Sequence, residues 1–171
     1  MRYRKNGEIT VFLTLMLSVI SAFYISLSSL AQKYVSKSEA QYAVECAVRS
    51  CFAEYNRELF EEYQILLIDS SFRTAEGGLD RVEDHFMMYL DNSITANTVC
   101  AVSVSVNDGA VSAREKYGIT YEVIKHMREN GSPGFDPDKC YDDLVFTATF
   151  DSPYAGTYII TRQYSYDAKS M

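Results

Sequence analysis

The sequence predicts an α+β chain in which a long N-terminal transmembrane helix continues into an amphipathic helix, packed on a small extracellular antiparallel sheet with two short helices. Three observations carry this. Residues 9–31 (ITVFLTLMLSVISAFYISLSSLA) form 23 positions without a charge, enough at about 1.5 Å per residue to cross a hydrocarbon core of roughly 30 Å. Residues 32–63 contain neither Pro nor Gly and place apolar side chains at threes and fours, the spacing of one helical face. Beyond them several short runs alternate with period two and are separated by Gly, Pro and Asn-Asp, the punctuation of strands.

The chain divides accordingly into a cytoplasmic basic leader (1–7), a transmembrane helix (8–31), an extracellular helix continuation (32–63) and an α+β extracellular domain (64–171). The net charge of −7 is uneven. With Arg2, Arg4, Lys5 and Glu8 set aside, the 16 basic and 23 acidic residues leave 13 and 22 for the rest. By the positive-inside rule the basic end stays cytoplasmic and the acidic part lies outside the cell membrane, single-pass, with membrane lipid as the first partner. An acidic outer part argues against nucleic acid, which requires a basic face. Ser29 and Ala31 resemble a signal-peptidase site, but the apolar run is longer than the about 7 to 15 residues of a signal h-region, so the segment is expected to stay. Its Ser and Thr hydroxyls suit a membrane helix by bonding back to the helix backbone.

In the continuation, Ala40, Ala43, Val44, Ala47, Val48, Cys51, Phe52 and Tyr55 form an apolar stripe, with Lys37, Glu45, Arg49, Asn56 and Arg57 mostly on other faces. Such a stripe needs a cover, either the C-terminal β part or a neighbouring copy of the helix. Residues 63–69 (YQILLID) read as a first strand, with a helix end as the alternative, residues 79–90 as an amphipathic helix inward at Leu79, Val82, Phe86, Met87 and Leu90, and residues 98–106 (TVCAVSVSV) as a half-buried strand. Asn107-Asp108-Gly109 signals a hairpin into residues 110–113. Residues 119–129 read as a helix inward at Tyr121, Ile124 and Met127 or Val123, and residues 144–150 and 157–166 as paired strands joined around Ser152-Pro153-Tyr154-Ala155-Gly156. The tail after Tyr166 is expected to be loose. No internal repeat is present.

Motifs that carry chemistry are few, and no enzymatic activity or cofactor is expected. His85 and His126 lack any metal spacing and are read as solvated helix positions. Asp136, Asp138, Asp142 and Asp143 are acidic, but an EF-hand would need Gly at Tyr141 and Glu at Thr147, so no metal site is expected. Glu54, Glu58, Glu61 and Glu62 are read as helical ion-pair partners around Arg57. Of the cysteines, Cys46 and Cys51 are poorly spaced for a bridge on one helix, a Cys100–Cys140 disulfide is possible, and small buried apolar residues are the other reading.

The order basic tail, Gly7-Glu8-Ile9-Thr10-Val11-Phe12, long apolar helix and amphipathic continuation resembles the type IV pilin-like proteins, specifically the Tad (tight adherence, Flp) minor pilins or pseudopilins of the TadE and TadG kind. Residues 52–63 (FAEYNRELFEEY) are similar to a stretch in Gram-positive relatives of these proteins. The resemblance spans about residues 4–69. It implies a pilin-like fold, a structural role, and partners among other pilin-like subunits or Tad assembly components. It also implies a prepilin peptidase that cuts after Gly7 and leaves Glu8 as the new N-terminus. Pilins normally carry Glu five residues past the cut; that position here is Phe12, a departure shared with TadG-type accessory proteins. Phe12 and the apolar stripe are the expected helix–helix or subunit contacts.

Overall fold

A computed structural model of the chain describes residues 4–70, 77–95, 97–107, 112–130 and 132–166. The fold is α+β: a long apolar N-terminal helix with two small antiparallel sheets. Helix α1 runs Arg4–Ala53 without interruption, about 75 Å at standard rise. Its lower part is bare. From Ile9 to Val35 every side chain is exposed except that of Ser28, which is half-buried. The hydroxyls there bond back to the helix as expected: Thr14 donates to the Thr10 carbonyl at 2.8 Å, Ser21 to Leu17 at 2.8 Å and Ser26 to Ala22 at 2.9 Å.

The upper part of α1 is core. Ala40, Ala43, Val44, Ala47, Val48, Cys51 and Phe52 are all buried, and their cover comes from this same chain. They pack with Val82, Phe86 and Leu90 of α3 (Leu79–Ser93) and with the inner face of the sheet formed by β2 (Thr98–Val106), β4 (Asp143–Ser152) and β5 (Gly156–Ser165). The small side chains on α1 allow close approach of its backbone, and the rings come from the other side. The order is β2-β4-β5, all antiparallel. The central strand alternates cleanly, with Leu144, Phe146, Ala148 and Phe150 fully buried, while Thr147 on its other face meets Thr161 across the pair at 3.2 Å.

Several expectations from sequence are corrected. The helix does not run to Tyr63: α1 stops at Ala53, and α2 (Arg57–Tyr63) restarts after Asn56, whose Oδ1 accepts the Leu59 amide at 3.0 Å as an N-cap. Tyr55 lies in this break, half-buried and bridged to Ile68. The expected strand over 63–69 shrinks to β1 (Ile68–Asp69), because α2 continues to Tyr63 and closes on Gln64 in the left-handed region, φ 57°. A second sheet, β1 with β3 (Cys140–Tyr141), was not foreseen. Strand β2 pairs with β4; the hairpin expected from Asn107-Asp108-Gly109 into 110–113 lies mostly outside the described residues, and Ala113 begins helix α4 (Ala113–Tyr117). The helix expected over 119–129 is α5 (Tyr121–Asn130), with Ile124 and Met127 inward as expected but Tyr121 exposed. Besides α1 there are thus four short α-helices among the described residues, plus a 3-10 turn at Pro137–Lys139. The tail after Tyr166 falls outside the described residues.

Of the two readings of the cysteines, Cys51 and Cys140 follow the buried apolar one, and there is no Cys100–Cys140 bridge. All four cysteines are free. Cys100 sits where the β2–β4 register shifts, exposed on the three-stranded sheet, whereas Cys140 is buried in the other sheet within a second apolar cluster with Leu59, Leu67, Phe135 and Met127. Burial pushes the Cys140 thiol well above its ordinary pKa and that of Cys51 up to about 12, so neither supplies much thiolate near neutral pH. Maleimide labelling of the native protein is expected to modify Cys100 first and to reach Cys51 and Cys140 only after unfolding; a Cys100–Cys140 peptide in a non-reducing digest would contradict the pairing of the strands.

Candidate membrane anchor and polar cleft

The exposed segment of α1 is the most pronounced surface feature. A helix whose most apolar stretch is wholly unburied in the chain's own fold exposes far more contiguous apolar surface than a soluble monomer tolerates. One helix of this length and composition near the N-terminus is compatible with a single-pass membrane anchor. Phe12 lies within it, exposed, and Gly7 and Glu8 lie on the same continuous helix. The other expected contact residues, Ala40 through Phe52, are brought together but inside the core, so they are spent on intramolecular packing.

At the break between α1 and α2 the chain builds a polar cleft of about 250 Å³, lined by residues 54–58 with Asp69 and Ser132. Asn56 organises it. Besides capping α2, its Nδ2 donates to Asp69 Oδ2 at 3.0 Å, and both residues are buried. The glutamates expected only as helix ion pairs divide into two groups. Arg57 Nε reaches Glu61 at 2.7 Å in an exposed pair one turn apart, a contact of little energetic consequence. The others tie segments together: Glu58 accepts from Ser132 Oγ at 3.1 Å, Glu62 meets His126 Nε2 at 2.9 Å, and Glu54 meets His85 Nδ1 at 2.8 Å while accepting from the Tyr89 hydroxyl. Both histidines, read from sequence as solvated positions, are thus carboxylate partners.

The hydrogen bond to Glu54, followed by burial, pushes the Tyr89 pKa up to about 12. Burial also raises those of Tyr117, Tyr141, Tyr158 and Tyr166. Each group is neutral when protonated and holds its proton more tightly in the folded state than the ordinary value of about 10. Their contribution is therefore complete below about pH 10 and is lost as pH rises through the folded values. The α+β part of the chain is expected to lose stability in alkali above about pH 10, in step with late-titrating tyrosinate absorbance. Simultaneous ionisation of all 14 tyrosines with the near-ultraviolet circular dichroism intact would refute this.

Three of the four aspartates of the 136–143 loop serve separate ends. Asp136 caps the 3-10 turn through the Asp138 amide at 3.1 Å, Asp142 accepts from Lys116 and from the Tyr117 hydroxyl, and Asp143 accepts from Asn107 at 2.9 Å. Asp142 in turn raises the Lys116 pKa. Among the described residues no group of three or more His, Cys, Asp or Glu is placed to hold a metal ion. Sequence reasoning missed the Glu54–His85–Tyr89 and Asn56–Asp69 contacts; the one local signal was Asn56 ahead of Arg57-Glu58, a helix-start pattern. Comparison with known proteins adds no relative: no protein-family model matches the chain, and neither a curated protein nor a solved structure matches it.

Proposed function

We propose that the chain is a membrane-anchored, pilin-like accessory or structural component of the TadE/TadG kind, belonging to a Tad-type pilus or secretion assembly and acting without catalysis. One observation supports this most: α1 is a single unbroken helix, apolar and bare below, and wrapped by an antiparallel sheet above. The Gly7-Glu8 junction at its start is the candidate processing site. In this reading the leader is cytoplasmic and the α+β domain extracellular, as the charge distribution directs. Phe12 leaves no buried carboxylate to pair with a neighbour's amine, which fits an accessory subunit better than a filament core. A second reading, an anchored extracellular binding or sensor domain unrelated to pili, draws on the polar cleft at the α1–α2 break.

The experiment is mass spectrometry of the N-terminus of membrane-extracted protein. A start at Glu8 is expected for pilin-like processing, and Gly7→Leu is then expected to block the cut in cells that contain the peptidase. An intact N-terminal leader in such cells counts for the plain anchor, and a start at Gln32, which would cut α1 in two, counts against any retained anchor.

A further inference from the structure

The β4–β5 turn lies against α1, where Tyr154 lines a crevice with residues of that helix. Its root is fixed to α1 by a polar relay of buried groups. Ser152 Oγ accepts the amides of Tyr154 and Ala155, each at 3.2 Å. Its own proton is therefore free to go to Ser36 Oγ, 2.7 Å away. Ser36 Oγ in turn donates to Asn97 Oδ1 at 2.6 Å, and Asn97 Nδ2 returns a bond to the Ser36 carbonyl at 3.0 Å. Ser36 and Ser152 are 2% and 4% exposed, so the register between turn and helix is well determined.

Beyond that root the turn lies alongside the apolar span. Tyr154 shares a crevice of about 250 Å³ with Ser28, Ala31 and Val35 on its lower side and Gln32, Ser36 and Glu39 beside and above them, and Ser28 is the one residue between Ile9 and Val35 that is not exposed. From Ser36 to Ser28 the helix descends about 12 Å. The turn therefore overlaps the last turn of the uncharged segment, at the depth where a bilayer passes from hydrocarbon to headgroups. Its chemistry suits that depth. No charge occurs from Ser152 to Tyr158. Pro153 has no amide, the next two amides are bonded within the turn, and Gly156, at φ +69°, rejoins the ladder opposite Ser152. A turn that leaves few amides in need of water is suited to a medium that supplies little of it. Tyr154 stays half exposed, an amphipathic ring of the type that lines membrane interfaces.

We propose that the β4–β5 turn is a second lipid contact, with Tyr154 seated in the headgroup layer of the bilayer that α1 crosses, so that the outer domain rests directly on a phospholipid surface. This inference rests on the reading of residues 9–31 as a membrane span.

The chain has no Trp, so a single introduced Trp reports its own surroundings. Tyr154→Trp, Tyr24→Trp and Tyr121→Trp are each made in the full chain and reconstituted in phosphatidylcholine–phosphatidylglycerol vesicles with and without acyl-chain bromine. Tyr24 is exposed within the apolar span, and Tyr121 is exposed on α5. The expected result is loss of fluorescence at 24, loss at 154 that is greatest with bromine nearest the headgroup, and no loss at 121. Quenching at 24 with none at 154 overturns the lipid contact while leaving the anchor standing. The contact is overturned even if the emission at 154 is shifted to the blue, because the ring is then covered by protein, such as a second copy. Absence of quenching at 24 overturns the anchor and the contact together.

Discussion

Phe146→Ala is expected to lower the stability of the α+β part of the chain by about 3–5 kcal/mol, the range for removing a buried ring. Phe146 is fully buried at the centre of β4. Its ring meets Phe52 of α1 edge-on at 6.0 Å and Phe86 of α3 at 5.0 Å, so one side chain joins the sheet to both helices that cover it. Each such ring pair contributes about 0.5–1.5 kcal/mol beyond the area it buries. The cavity would be lined from three elements that cannot all close on it. Because a domain of this size has only about 5–15 kcal/mol in total, the variant is expected to sit near the edge of folding. Urea titration of the detergent-solubilised full chain, followed by near-ultraviolet circular dichroism, measures the effect. Phe12→Ala, in the exposed span, serves as the control and is expected to leave the midpoint in place. A shift for Phe146→Ala of less than about 1 kcal/mol would show that the ring does not bridge these elements.

Asn56→Ala is expected to cost about 2–4 kcal/mol, combining the loss of an N-cap with the loss of a hydrogen bond to a buried carboxylate. Asn56 caps α2 through Leu59, donates to Asp69, and its own amide bonds the Leu67 carbonyl at 3.0 Å. The side chain thus holds the helix break and the strand β1 in one geometry. Asn56→Asp separates the two contributions. It keeps an oxygen for the cap but sets a second carboxylate against Asp69, so it is expected to be as damaging as Ala at neutral pH and milder in acid, where protonation relieves the repulsion. Equal stability of Asn56→Asp and wild type at neutral pH would show that the Asp69 contact carries no weight.

These two sites mark the limits of what the sequence discloses. The long apolar N-terminal helix was legible because its run of uncharged residues is longer than any other in the chain. The α1 stripe was legible as a face in need of cover, and the strands β4 and β5 as an alternating pair. What covers the stripe was legible only as two alternatives, since the covering side chains of α3 and the sheet are distant in sequence and no spacing rule links them to it. The helix break at 54–56 escaped notice because half of its cause, Asp69, is 13 residues distant, while the local sequence is free of Pro and Gly. The pairing of strand β2 with β4 was not legible for a related reason. Asn107-Asp108-Gly109 advertises a local hairpin, but pairing with β4 lets Val104 join Phe146 on the buried face. Glu54 finds His85 and Tyr89 at separations of 31 and 35 residues, beyond the reach of any spacing rule.

The unbroken passage of α1 from its bare half into the core has a mechanical consequence. With no linker at the base, the helix and the domain form one shaft, and the domain has no freedom to swivel apart from it. A push, pull or twist applied to the lower helix is delivered to the sheet without slack. Adding or removing a single residue between positions 31 and 36 would rotate the domain by about 100° relative to the lower segment, turning a different side toward whatever stands beside it. Cells expressing such one-residue insertions would therefore test whether the orientation of the domain, and not only its presence, matters.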